Sequence, residues 1–149
     1  LRLIMGFLPT MTHRRKGHII NISSIGVLAN SPRFSAYVAS KAALDAWSRC
    51  AQGELSGKGI SFTTINMPLV KTPMIAPTKM YDSVPTLTPD EAADLVVKGI
   101  IERPSRIATR LGIFASVIMF ENLLPLLPSR SRPQTDASRR MRARTSRGR

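Results

Sequence analysis

A chain of 149 residues with 43% apolar side chains is long enough for one modest domain with a real core, and its composition suits a globular protein. Its net charge of +13 points first to nucleic acid, but the excess is concentrated in Arg130, Arg132, Arg139, Arg140, Arg142, Arg144, Arg147 and Arg149 against one acid, Asp136, which reads as a solvated tail and not a specific nucleic-acid interface. The lone Cys50 excludes an internal disulfide and gives no sign of an oxidising compartment, the short apolar N-terminal run broken by Pro9 is no signal peptide, and His13 and His18 lack metal-ligand spacing, so a cytoplasmic, metal-free chain is expected.

Residues 1–12 carry Leu1, Leu3, Ile4, Met5, Phe7, Leu8 and Met11, which fits a helix lying on a sheet, strained late by Pro9. A polar exit follows, with Gly17 placed to end that helix. Residues 18–24 form a nearly continuous apolar run, as expected of a strand covered on both faces. Residues 26–35 read as a loop, with Pro32 blocking an earlier helix start and Ser35 as N-cap. A helix is predicted over 36–55, ended by Gly57-Lys58-Gly59, then a strand over 60–67. Cys50 within that helix reads as a small packing residue. Ala39, Ala43, Ala46 and Cys50 recur at helical spacing, a stripe that allows close approach of core or of a second subunit. Residues 74–87 form a long loop of the kind that walls a substrate. Thr88-Pro89-Asp90-Glu91 is an N-terminal capping box, opening a helix to about Glu102. A short strand is expected over 106–109. Residues 111–127 read as a helix over the pocket or core, or as an interfacial helix flanked by Arg106, Arg110 and Arg130; they are too short and broken to span a bilayer. Residues 129–149 are expected to be disordered.

Strand, helix, strand in this order implies a right-handed parallel crossover, with ligands bound beyond the carboxyl ends of the strands. Ser24 and the loop from Pro68 to Met74 fall at those ends. Tyr37 and Lys41, four apart on the predicted helix, share a face. An ammonium beside a phenol favours the phenolate and lowers the tyrosine pKa, and a tyrosine so tuned can give or take a proton. Ser24 lies thirteen residues before Tyr37, at the end of its strand, where its hydroxyl can face the same pocket.

The ordered set Gly17-His18-Ile19-Ile20-Asn21-Ile22-Ser23-Ser24, Tyr37-x-x-x-Lys41 and Asn66-Met67-Pro68-Leu69-Val70-Lys71-Thr72-Pro73-Met74 resembles the short-chain dehydrogenase/reductase family over about residues 1–128. The resemblance implies an α/β, Rossmann-type doubly wound parallel sheet and hydride transfer with NADP or NAD, NADPH being favoured. It implies that Ser24 binds the substrate oxygen, that Tyr37 exchanges a proton with it, and that Lys41 holds the cofactor ribose. Pro68, Val70 and Thr72 match the loop that contacts the nicotinamide carboxamide, although Leu69 stands where most relatives have glycine. The glycine-rich TGxxxGxG turn, the NAG motif and the helix asparagine do not occur here. The chain therefore reads as the C-terminal part of such a domain or a truncated reading frame, with the activity of this piece alone in question.

The segments 66–78 and 84–93, with 106–112, are further similar to the reductase domain of bacterial fatty acyl-CoA reductases of the actinobacterial type. That likeness implies NADPH-dependent reduction of a long-chain acyl thioester, a small-molecule lipid substrate, to the aldehyde and onward to the alcohol; the broader family likeness implies a homodimer or larger homo-oligomer, and the interfacial reading of residues 111–127 implies peripheral membrane contact. The alternatives are a reductase of another carbonyl or secondary alcohol (a 3-oxoacyl thioester, a steroid) and a non-catalytic remnant or basic-tailed binding protein.

Overall fold

A computed structural model describes residues 1–30 and 33–123. Two eight-residue strands, β1 (Gly17–Ser24) and β2 (Ile60–Met67), pair in parallel from Gly17↔Ile60 to Ser24↔Met67. A two-residue strand, β3 (Arg106–Ile107), adds to β2 through Thr64↔Arg106 and Ile65↔Ile107, giving a parallel sheet in the order β1-β2-β3. The fold is thus the expected Rossmann-type α/β arrangement.

Helices α1 (Arg2–His13) and α3 (Ser35–Leu55) cover one face of the sheet. There Ile19, Ile60 and Phe62 meet Ala51, Trp47 and Leu55 of α3 and Ile4, Leu8 and Met11 of α1, with the Trp47 and Phe62 rings edge to face at 5.8 Å. Full burial of a side chain such as Ile60 or Phe62 is worth roughly 1.5–3 kcal/mol. Helix α4 (Pro89–Glu102) lies on the other face. It comes close because Gly99 has no side chain: a Cβ there would sit 3.4 Å from Ile65 and 3.5 Å from Ile107. The Thr88 capping box forms as expected, and its bonds to Glu91 hold that carboxyl below the usual range.

Several local expectations are corrected. Helix α1 tolerates Pro9 and ends without Gly17: Arg15 takes the left-handed conformation, Arg15 N–H bonds Thr12 O and Lys16 N–H bonds Met11 O, a Schellman closure. Gly17 instead begins β1, where a Cβ would meet Met11 Sδ at 2.8 Å. The segment expected as loop holds a short helix, α2 (Gly26–Ala29), closed by left-handed Asn30. Ser35 lies inside α3, Phe34 holds the cap position, and no side chain caps that end. Gly59 is left-handed, and a Cβ there would collide with the Arg15 carbonyl, so glycine is required where β2 begins. The 74–87 loop contains a 3₁₀ turn, Lys79–Ser83. Helix α5 (Arg110–Leu123) starts one residue earlier than predicted. Pro32 and the region after 123, including the basic tail, lie outside the described residues.

His18 Nε2 donates to Thr63 Oγ1 at 2.9 Å, because the Thr63 hydroxyl spends its own proton on Pro104 O at 2.6 Å. Burial first, then the Arg103 guanidinium, holds the His18 imidazole below its ordinary pKa. The unfolded chain therefore binds this proton more readily. The His18 contribution to stability is complete above about pH 6.5 and declines as pH falls from there through the lower folded value. Melting temperatures measured from about pH 8 down to about pH 5 should show this decline, and His18→Gln, which cannot titrate, should flatten it. Ile65→Ala, in the fully buried centre of β2, should cost about 2–5 kcal/mol in denaturant unfolding.

Candidate active site

At the carboxyl ends of β1 and β2 the structure opens a cavity of about 530 Å³. Ser24, Tyr37, Lys41, Pro68, Val70 and Thr72, the positions singled out in the sequence, all line it. Each reaches it from a different local cause. Ser24 ends β1, and its Oγ accepts the Gly26 N–H at 3.2 Å, a bond that occupies a lone pair and not the hydroxyl proton. The chain turns there because the Ile25 N–H bonds Met67 O at 3.0 Å, which closes β1 onto β2.

Tyr37 and Lys41 stand one turn apart on α3, as the helical spacing requires, with the Lys41 Nζ 5.9 Å from the centre of the Tyr37 ring. The phenol is 48% exposed, open to a reacting partner. Lys41 Nζ donates to Ile22 O at 3.0 Å, which anchors it over the end of β1 and leaves its other protons for a ligand. Pro68, Val70 and Thr72 follow β2. Val70 makes an isolated bridge to Leu87, and the Lys71 N–H to Leu87 O bond (2.8 Å) and Leu87 N–H to Leu69 O bond (2.8 Å) clamp this segment to the far end of the 74–87 loop. That loop walls the cavity with Met74, Ile75, Thr78, Tyr81 and Val84, as its length led one to expect.

Sequence reasoning missed Tyr81. Its phenol is held above the ordinary range by burial and, to a lesser extent, by the Tyr37 phenol, so a second, neutral tyrosine lines the same cavity. Only the tyrosine itself, inside an otherwise weakly patterned loop, hinted at it. Also missed was a polar cluster beneath the cavity. Asp45, one turn beyond Lys41, is 3% exposed and takes two bonds from Arg106 Nη2, at 2.9 and 3.1 Å, with Arg49 at 3.4 Å. Arg106 Nη1 also donates to Asn66 Oδ1 at 2.6 Å. Its signals were present: an acid four residues after the lysine and an asparagine at the end of a buried strand. Ser23 Oγ is buried there with no hydrogen-bond partner among the described residues.

Helix α5 packs at its start against Pro68, in the segment that follows β2. Thr109 Oγ1 accepts the Gly112 N–H at 3.0 Å, and a Cβ on Gly112 would press Pro68 at 2.9 Å.

An open parallel sheet with helices on both faces, and a cavity beyond the carboxyl ends of its strands, defines a Rossmann-type α/β protein with its candidate site at the edge where such sheets bind ligands. The family model for short chain dehydrogenases matches residues 1–81, and the chain belongs to the short-chain dehydrogenase/reductase family. It is 65% identical over 117 residues to a fatty acyl-CoA reductase of Acinetobacter baylyi, an alignment covering 78% of this chain and 40% of that protein. Among solved structures it is similar to a short-chain dehydrogenase of Streptomyces avermitilis (25% identity, TM-score 0.63, 99% of this chain and 58% of that one). It is similar also to a 3-oxoacyl-[acyl-carrier protein] reductase of Brucella melitensis with bound NAD (25% identity, TM-score 0.55, 64% of this chain and 38% of that one). The chain thus spans about 40% of the length of the curated relative it matches.

The contact between Gly112 and Pro68 gives a direct test of the packing behind the site. Gly112→Ala should destabilise by about 1–3 kcal/mol through overpacking, read as a lower denaturant midpoint at unchanged slope.

Proposed function

We propose that this chain forms the substrate-side part of a nicotinamide-dependent reductase of long-chain fatty acyl-CoA thioesters. The observation that carries the reading is the convergence of Ser24, Tyr37 and Lys41 on one cavity whose remaining walls are mainly apolar: Ile22, Phe34, Val38, Leu69, Met74 and Ile75. An acyl chain is matched by such walls, and a thioester carbonyl by the hydroxyls at their edge. The 65% identity to a fatty acyl-CoA reductase supports this substrate over the 3-oxoacyl thioester of the more distant Brucella neighbour.

The residues present fit the cofactor. Lys41 retains donors beside Tyr37 for ribose hydroxyls, and Pro68, Val70 and Thr72 border the cavity where a carboxamide is to be held. The nicotinamide, NADPH in this reading and NADH as the alternative, supplies the hydride when bound. Ser24 donates its free proton to the carbonyl oxygen and stabilises the charge that develops there. Tyr37 delivers a proton to that oxygen. Collapse of the resulting hemithioacetal expels the CoA thiol and leaves the aldehyde.

The stripe of Ala39, Ala43, Ala46 and Cys50 is exposed along α3, as are Leu3, Met5 and Phe7 of α1, so neither set serves the core of this chain. We read them as contact surface for a second copy in a homodimer. No described helix is long and apolar enough to cross a membrane. We read the enzyme as cytoplasmic, with Ile113, Phe114 and Val117, exposed on α5, resting on a membrane surface.

A full-length enzyme carrying this segment, incubated with palmitoyl-CoA and NADPH, should yield hexadecanal by mass spectrometry. Turnover only of ketones or secondary alcohols would remove the acyl-CoA reading. Tyr37→Phe should lower turnover by about 10²–10⁴-fold while the cofactor Kd, from NADPH fluorescence, stays unchanged. Undiminished turnover would contradict the assigned acid. The 149-residue chain alone can be titrated with NADPH; no fluorescence change at millimolar cofactor would favour a non-catalytic piece.

A further inference from the structure

We infer that Asn66 is a positioning residue for Ser24, with Arg106 and Asp45 deciding which way its amide points. The inference rests on the reading of Ser24 as the donor to the substrate oxygen. Asn66 is 1% exposed at the end of β2, paired across the sheet with Ser23. Its Nδ2 donates to the main-chain carbonyl of Ser24 at 3.3 Å, while its Oδ1 accepts from Arg106 Nη1 at 2.6 Å.

An asparagine amide can be turned either way, and only its partners choose. A guanidinium has donors alone, so it takes the oxygen and forces the NH₂ group toward Ser24. Arg106 is itself held by Asp45 through two bonds at 2.9 and 3.1 Å. Asp45 is carried by α3 one turn after Lys41, and Lys41 Nζ holds the Ile22 carbonyl at 3.0 Å. Two carbonyls at the end of β1, those of Ile22 and Ser24, are thus gripped by side chains from α3 and β2. The hydroxyl of Ser24 hangs from the second of them. Since a misplacement of about 1 Å can cost a hundredfold in rate, a strand end left to fray would degrade the donor geometry. The buried Asp45–Arg106–Asn66 chain prevents this from behind, without touching a ligand: none of the three lines the cavity.

A double-mutant cycle in a full-length enzyme carrying this segment tests the inference. Asn66→Asp keeps the bond from Arg106 and replaces the donor facing Ser24 with an acceptor. It should lower kcat by about 10- to 100-fold with the NADPH Kd unchanged. In a Ser24→Ala background the same substitution should lower kcat by less than about twofold, because residues acting as a unit are not additive. Equal losses in both backgrounds, or no loss in either, would overturn the inference while leaving Ser24 as donor. If Ser24→Ala alone leaves turnover unchanged, the underlying reading falls, and this inference with it. Should Asn66→Asp fail to fold, Arg106→Lys, which keeps the charge but lacks the planar fork that bonds Asn66 and Asp45 in fixed geometry, carries the same cycle. It should show the same collapse of its effect when Ser24 is replaced, and full additivity would again overturn the inference.

Discussion

The parallel register of β1 on β2 is the constraint on which the rest of the structure depends. It sets Ser24 level with Met67, so that the serine and the loop from Pro68 open at the same edge. A strand has a side-chain period of two, and a slip of one residue would turn every side chain to the opposite face. Ile19 and Phe62 would leave the core under α1 and α3, and Ser24 would turn away from the cavity. The apolar face therefore holds the register, and the register places the candidate site. The close approach of α4 through Gly99 secures the second face by burying Ile65 and Ile107.

Helix α3 joins core and site in one element. Its later turns place Trp47, Ala51 and Leu55 against the sheet. Its earlier turns carry Tyr37, Lys41 and Asp45 at four-residue intervals, which makes a single stripe on the helix surface. The stripe changes environment along its length: Tyr37 is open, Lys41 reaches a strand-end carbonyl, and Asp45 is buried against Arg106. The proton exchange proposed for the Tyr37 phenol needs access to its partner. A carboxylate that neutralises a guanidinium needs exclusion of water, because removing one member of a buried pair leaves an uncompensated charge.

Much of this was legible in the primary structure. The apolar run of β1, the capping box of α4 and the glycine before β2 each have one strong local cause, and each element formed where its cause lay. The failures are equally local. Gly17 looked like a helix terminator, but Arg15 accepted the left-handed conformation because two main-chain bonds reward it. Ser35 looked like a cap, yet it was absorbed into α3 with Phe34 before it, since the Val38 N–H to Phe34 O bond already closes that turn. Helix α2 was invisible because four residues carry no periodic signal.

The candidate site divides along the same line. The spacing of Ser24, Tyr37 and Lys41, and the loop with Pro68, Val70 and Thr72, could be named from the chain alone, because helical and strand periods act over a few residues and the order of motifs is linear. The family followed from that order. What only the folded structure decided is contact between residues far apart in sequence. Tyr81 joins Tyr37 in lining the cavity through a loop whose path no periodicity dictates. Arg106 meets Asp45 across sixty-one positions and Asn66 across forty. A charge reads as surface in a sequence, since burial costs it dearly unless a partner arrives, and where that partner arrives is settled by packing of the sheet and helices, not by any neighbour along the chain.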